Sequence, residues 1–165
     1  MTESGCQPHE HPAMLTRISR ELPNTILVLE TARDPASFTC GMHAFGFEGR
    51  PEYKGVAGHG LGLVFAGAEF LDWFAASGRL VEIGDHEAYE NDVVMYFDGG
   101  HARHVGRVLS SGRVVSKWGL GLLYEHGLSE VPTHYGDQVR FFRSIEPDVA
   151  LKHFLDFAKE KGVTL

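Results

Sequence analysis

With 165 residues, 43% of them apolar and 22% charged, the chain is long enough for one domain that buries its own core without disulfide or metal staples. No apolar run approaches the roughly 20 residues of a membrane span, and a formal charge of -7 without clustered Lys and Arg argues against a nucleic-acid surface. Two cysteines, Cys6 in a polar segment and Cys40 in an apolar one, are too few for a disulfide framework and suit a reducing compartment.

Residues 1–12 are polar and read as a disordered tail ahead of a single domain over 13–165, with His9 and His11 as solvated polar positions rather than ligands. The opening stretch lacks the basic-then-apolar pattern of a secretory signal, so the expectation is a cytoplasmic protein, or one exported without a cleaved signal peptide. Met14, Leu15, Ile18 and Leu22 recur at helical spacing before Pro23, and residues 25–30 (TILVLE) form a strand pattern that Asp34-Pro35 breaks. Ser37 or Thr39 then caps a second helix whose apolar face carries Met42, Ala44 and Phe45. That places Cys40 in a first helical turn, where unpaired amides and the helix dipole favour thiolate; burial as a small hydrophobe is the commoner fate of a lone cysteine.

The glycine-rich stretch 48–67, which contains His59, reads as a long loop that walls a cleft. A helix over 68–76, a short strand over 80–83 and a polar connection lead into a three-strand meander at 92–119. Its strands are Val93 to Phe97, His104 to Leu109 and Arg113 to Trp118, joined by Asp98-Gly99-Gly100 and Ser110-Ser111-Gly112. Residues 119–136 read as a loop rich in Tyr and His, 138–142 as a returning strand, and Pro147 to Lys161 as a closing helix stopped by Gly162.

One residue of the meander stands out, a histidine that is either a satisfied core residue or a general base. His104 opens the middle strand and, by the alternation of strand side chains, shares a face with Gly106 and Val108, while Ser116 and Trp118 share a face on the next strand. A simple hairpin register puts His104 and Ser116 on one face. A helix-borne cysteine, a strand-borne histidine and a polar neighbour are the parts that nucleophilic thiol catalysis needs.

Asn91-Asp92-Val93-Val94-Met95-Tyr96-Phe97, then His104-Val105-Gly106, then Ser111-Gly112-Arg113-Val114-Val115-Ser116 together resemble the papain-like cysteine hydrolases of the NlpC and CHAP (cysteine, histidine-dependent amidohydrolase/peptidase) type. The resemblance spans roughly residues 37–143 and implies an α+β papain-like core, with the cysteine-bearing helix packed on a central antiparallel sheet and a C-terminal helix. It implies Cys40 as nucleophile, His104 as general base and acid, Ser116 at the orienting position twelve residues on, and the Cys40 backbone amide as one oxyanion donor. Two departures stand out: the family carries His, Asn or Glu where Ser116 stands, and Asp or Asn then Ser where Thr39 and Gly41 flank the cysteine.

The reaction so implied is thiolate attack on an amide of a peptide-like substrate, peptidoglycan peptides being the family's most frequent target, with no cofactor. His59, Trp118, Tyr124 and His126 are the expected substrate rim, with Glu125 or Lys117 as substitutes for Ser116. The rival readings are a papain-like domain that binds without catalysing, and a histidine metal site. The second is weak: His101 and His104 have HxxH spacing, which in a strand points them to opposite faces.

Overall fold

The computed structural model describes residues 10–29, 34–58, 62, 64–119 and 121–164. Helix α1 (His11–Glu21) leads to strand β1 (Leu27–Leu29), and then α2 (Cys40–Phe45), α3 (Pro51–Ala57) and α4 (Ala68–Ala76) follow. The strands β2 (Glu82–Ile83), β3 (Val93–Asp98), β4 (His101–Val108), β5 (Val114–Lys117), β6 (Leu123–His126) and β7 (Gln138–Phe142) precede the closing helix α5 (Pro147–Glu160). The seven described strands form one antiparallel sheet in the order β1-β6-β5-β4-β3-β7-β2, so the fold is α+β. No described helix is long and apolar enough to cross a membrane.

Strand alternation sorts the core into two layers. Val93, Met95, Phe97, Ala102, Val105 and Phe142 face α2, α4 and α5 in an aromatic-rich cluster with Phe45, Phe70 and Phe154. The opposite face carries Val94, Tyr96, Val108, Val114, Trp118 and Tyr124, covered by Leu15 of α1 and by Tyr135. The middle of the meander is held tight at Gly106, where a Cβ would meet the Val115 carbonyl oxygen at 2.8 Å and Val114 at 2.7 Å. Asp92 ties the entry to β3: it is buried, accepts from the Tyr89 and Ser144 amides at 2.9 and 2.7 Å, and pairs with Arg143 at 2.8 Å.

Several elements depart from their sequence pattern. Helix α1 starts at His11, whose ring is buried and hydrogen-bonded to the Tyr124 hydroxyl at 2.5 Å, so residues 10–12 belong to the fold and not to a tail. The stretch read as a glycine-rich loop contains α3, begun by Pro51 at a first helical position and anchored by the buried Tyr53 ring. The stretch 119–136 contains β6, which pairs with β5 on one side and β1 on the other. In both places glycines at the borders obscured a short element whose stability comes from tertiary packing.

Candidate active site

Cys40 occupies the first position of α2, and Thr39 is its cap: the Thr39 hydroxyl accepts from the Met42 amide at 3.1 Å and donates to the Ala66 carbonyl at 2.9 Å. The start of α2 is pressed against that same carbonyl, since a Cβ on Gly41 would sit 2.3 Å from it. Gly41, where the resembled family has Ser, is thus demanded by packing. With six residues α2 has a short dipole, so local amides matter more than the helix as a whole. The Val105, Gly41 and Cys40 amides face the sulfur.

Cys40 lines a cleft of about 250 Å³ together with Phe38, Met42, Phe65, His104 and Tyr135, and Arg103 and Gly119 reach its edge. The cleft opens beside the first residues of β4, where the register slips: Tyr96 pairs with His104 but Phe97 with Ala102, leaving Arg103 as the extra residue. Such a bulge bends a strand and re-aims its side chains. Cys40 and His104 therefore meet at one cleft although their elements differ in layer: α2 packs with Val105, whereas the His104 ring packs beside Tyr96 and lies flat on Tyr135, centroids 3.9 Å apart and planes 5° apart. No hydrogen bond joins the thiol to the imidazole, and His104 Nε2 is buried without a partner.

Electrostatics set the resting protonation. Burial pushes the Cys40 thiol up from its ordinary value, against the opposing pull of the three amides and the Lys117 ammonium. Burial also takes His104 well below the ordinary imidazole value, and His126, His134 and Lys117 add to the effect. The resting pair is a neutral thiol and a neutral imidazole. The Tyr135 hydroxyl is raised too, first by burial and then by Cys40; it has no hydrogen-bond partner, although the Gly119 backbone approaches it.

Ser116 is the position that does not serve His104. Its hydroxyl lies 2.8 Å from His126 Nε2 and accepts from the Trp118 indole N–H at 3.0 Å, while His126 Nδ1 sits 2.8 Å from the Gly127 carbonyl. Because that carbonyl can only accept, His126 carries its proton on Nδ1 and takes the Ser116 hydroxyl proton at Nε2. The serine is used up in a closed chain from indole to carbonyl. Trp118, Tyr124 and His126, expected at the substrate rim, are buried in the second layer with Trp118 stacked on Tyr124 at 4.3 Å, and none of them lines the cleft. His59, the remaining rim residue, lies outside the described residues. Glu125 is held by Arg113 at 2.6 Å, and His43 by Glu48 at 2.9 Å.

Sequence reading passed over Arg103 and Phe65, named Tyr135 only within a loop suited to a substrate rim, and weighed Lys117 only against the imidazole. Lys117 acts electrostatically on the Cys40 thiol as well as on the His104 imidazole, whose charged form it disfavours. A lysine inside the apolar run VVSKW was a signal in itself, because unpaired lysines are rarely buried. Among the described residues no group of three or more His, Cys, Asp or Glu is arranged to hold a metal ion.

Compared with known proteins, residues 69–143 match a family model described as a domain of unknown function (DUF7689). That match is less than half of the chain and takes in His104, Ser116 and Lys117 but not Cys40. No curated protein and no solved structure matches the chain.

Proposed function

We propose that the protein is a cysteine-dependent hydrolase of the papain-like NlpC/CHAP type, acting on an amide bond of a peptide-like substrate through Cys40 and His104. The observation that carries this reading is the shared cleft: a cysteine at the start of a capped helix and a strand-borne histidine with an unpartnered buried nitrogen line one cavity, with a buried cation beside the sulfur. Perturbed titratable groups gathered at a cleft mark functional sites more often than chance.

Starting from a neutral pair, the reaction runs by general-base catalysis. The Cys40 sulfur bonds to the carbonyl carbon while its proton passes to His104; the imidazolium returns that proton to the leaving nitrogen as the C–N bond breaks, leaving a thioester. Water, deprotonated by His104, then releases the acid and restores the thiol. The Cys40 amide is one oxyanion donor, and the unpartnered Tyr135 hydroxyl is the second donor at the cleft. The apolar wall of Phe38, Met42 and Phe65 favours substrates with an apolar group beside the scissile amide.

The test is to trap the thioester. Incubation with peptide p-nitroanilides and activated esters, followed by intact-mass spectrometry, should give an acyl adduct on Cys40 that Cys40→Ser abolishes; absence of an adduct across apolar, charged and muropeptide-like acyl groups would contradict the proposal. The second reading, a papain-like domain that binds without catalysing, draws on one observation: Ser116 is committed to His126 and Trp118, so among the described residues nothing bonds His104 Nε2.

A further inference from the structure

Lys117 is fully buried at the end of β5, and its Nζ donates to the Gly119 and Gly121 carbonyls at 2.7 and 2.9 Å. Among the described residues no carboxylate lies within ion-pair distance of it. A lysine removed from water without a paired carboxylate is costly, and it keeps its charge only if other groups hold it. The groups that face it are Cys40 at the start of α2, Asp34 before that helix, Glu48 after it and His104 on β4. Once ionised, Cys40 is the foremost of those that favour its charge, followed by Asp34 and Glu48. Phe38, two residues before the cysteine, presents its ring to the ammonium at 4.9 Å.

The sheet places Lys117 on the side where α2 and Cys40 lie. Lys117 stands one residue beyond the last paired position of β4 and β5, Gly106 with Ser116, so it comes opposite Val105 on the face that α2 covers. The ladder ends there, and the Val105 amide turns to the Cys40 sulfur instead. Alternation therefore sends Ser116 into the closed chain with His126 on one face and Lys117 to the thiol on the other. His104 supplies an independent sign that the cleft is built for chemistry: it lines the same cavity and is buried with an unpartnered ring nitrogen.

We infer that Lys117 is the positioning residue of the thiol, a fixed cation that holds the negative charge arriving on the Cys40 sulfur, in the place that the Ser116 position was expected to fill through the histidine. It touches no substrate; it acts on the sulfur. This rests on the reading of Cys40 as the reacting group, but not on the hydrolysis of any particular amide. Burial brings the Lys117 ammonium down to about 8, so it is mostly charged at neutral pH and loses that role as pH rises beyond. Tyr135, which also faces the sulfur, is neutral throughout that range.

The experiment is the rate of Cys40 alkylation by iodoacetamide against pH, together with thiolate absorbance near 240 nm, on the full chain carrying Cys6→Ser. Lys117→Met should slow alkylation about tenfold near pH 7, where the ammonium is charged, a shift of the low-pH limb of the profile that fades above about pH 8, whereas Lys117→Arg keeps the fast low-pH limb. Should Lys117→Met fail to melt cooperatively, Lys117→Gln retains an N–H donor for the two carbonyls and removes only the charge, and it should give the same shift. An unchanged profile in a folded Met or Gln variant overturns the inference, as does an Arg variant that shifts as far as Met. If these shifts appear while no acyl adduct forms on Cys40, the amide hydrolase reading falls and the role of Lys117 stands.

Discussion

The closed network around Ser116 and the cleft beside Cys40 treat their polar groups in opposite ways. On the face of Trp118 and Tyr124, every hydroxyl and ring nitrogen in the Ser116–His126 chain has a partner, and the His11–Tyr124 bond closes the layer beneath α1. At the cleft, which Cys40 lines from the α2 layer, His104 and Tyr135 are lining residues whose Nε2 and hydroxyl are buried without partners. One strand supplies both, through the neighbouring residues Ser116 and Lys117. A satisfied buried network rigidifies, whereas an unsatisfied one costs stability and is retained where chemistry uses it. The contrast teaches that the polar residue at the family's orienting position can be structural while its sequence neighbour is chemical.

The largest effect that bears on this contrast is loss of the nucleophile. Cys40→Ser should lower acyl transfer by about 10⁴-fold or more in a thioester-trapping assay, with an unchanged thermal melt. Next comes Tyr135→Phe, which removes a hydroxyl without a partner: stability should hold or rise slightly, while kcat/KM falls by about 10²-fold if the hydroxyl meets the oxyanion. Loss of both together would make Tyr135 a packing residue only.

Ser116→Ala reads the closed network. It strands the Trp118 N–H and His126 Nε2, so urea unfolding should show a loss of about 1–3 kcal/mol, whereas the pH profile of Cys40 alkylation stays as it is. A shifted profile in a stable Ser116→Ala protein would return the serine to the site. The smallest effect is on pH stability. His104 and His126 are both held below the ordinary imidazole value by burial, so the unfolded chain takes up protons first as pH falls. Their contribution is therefore present above about pH 6.5 and is lost below it, toward the depressed folded values. The melting temperature should drop on acidification through that window, and less so in His104→Gln.

Much of the frame was legible in the sequence because its signals are local. Helix α4 spans the same residues as its apolar pattern, Thr39 caps α2 as its position implied, and the glycine turn after Asp98 divides β3 from β4, with Gly99 and Gly100 at φ of 57° and 83°. Alternation also put His104 and Ser116 on one face, as the register of Gly106 with Ser116 bears out. What escaped depends on contacts distant in sequence. Helix α3 and strand β6 are short and bordered by glycines, and they exist because Tyr53 and Tyr124 fill the core. The bond from Ser116 to His126 needed β6 to be seen as a strand, and without it His126 and Tyr124 read as loop residues at a rim. The partnership of Lys117 with Cys40 required knowing which face α2 covers, and periodicity alone leaves that open.

The central claim is that Cys40 and His104 work as a pair across their shared cleft. Its most direct test is the single-turnover acylation rate of Cys40 by an activated ester at pH 7.5 (roughly neutral), in the wild type and in His104→Ala, both shown folded by thermal melting. General-base assistance predicts a drop of about 10²- to 10⁴-fold in the variant. Equal rates in the two proteins would contradict the account, leaving His104 as a buried partner of Tyr135 and the cleft as a binding site.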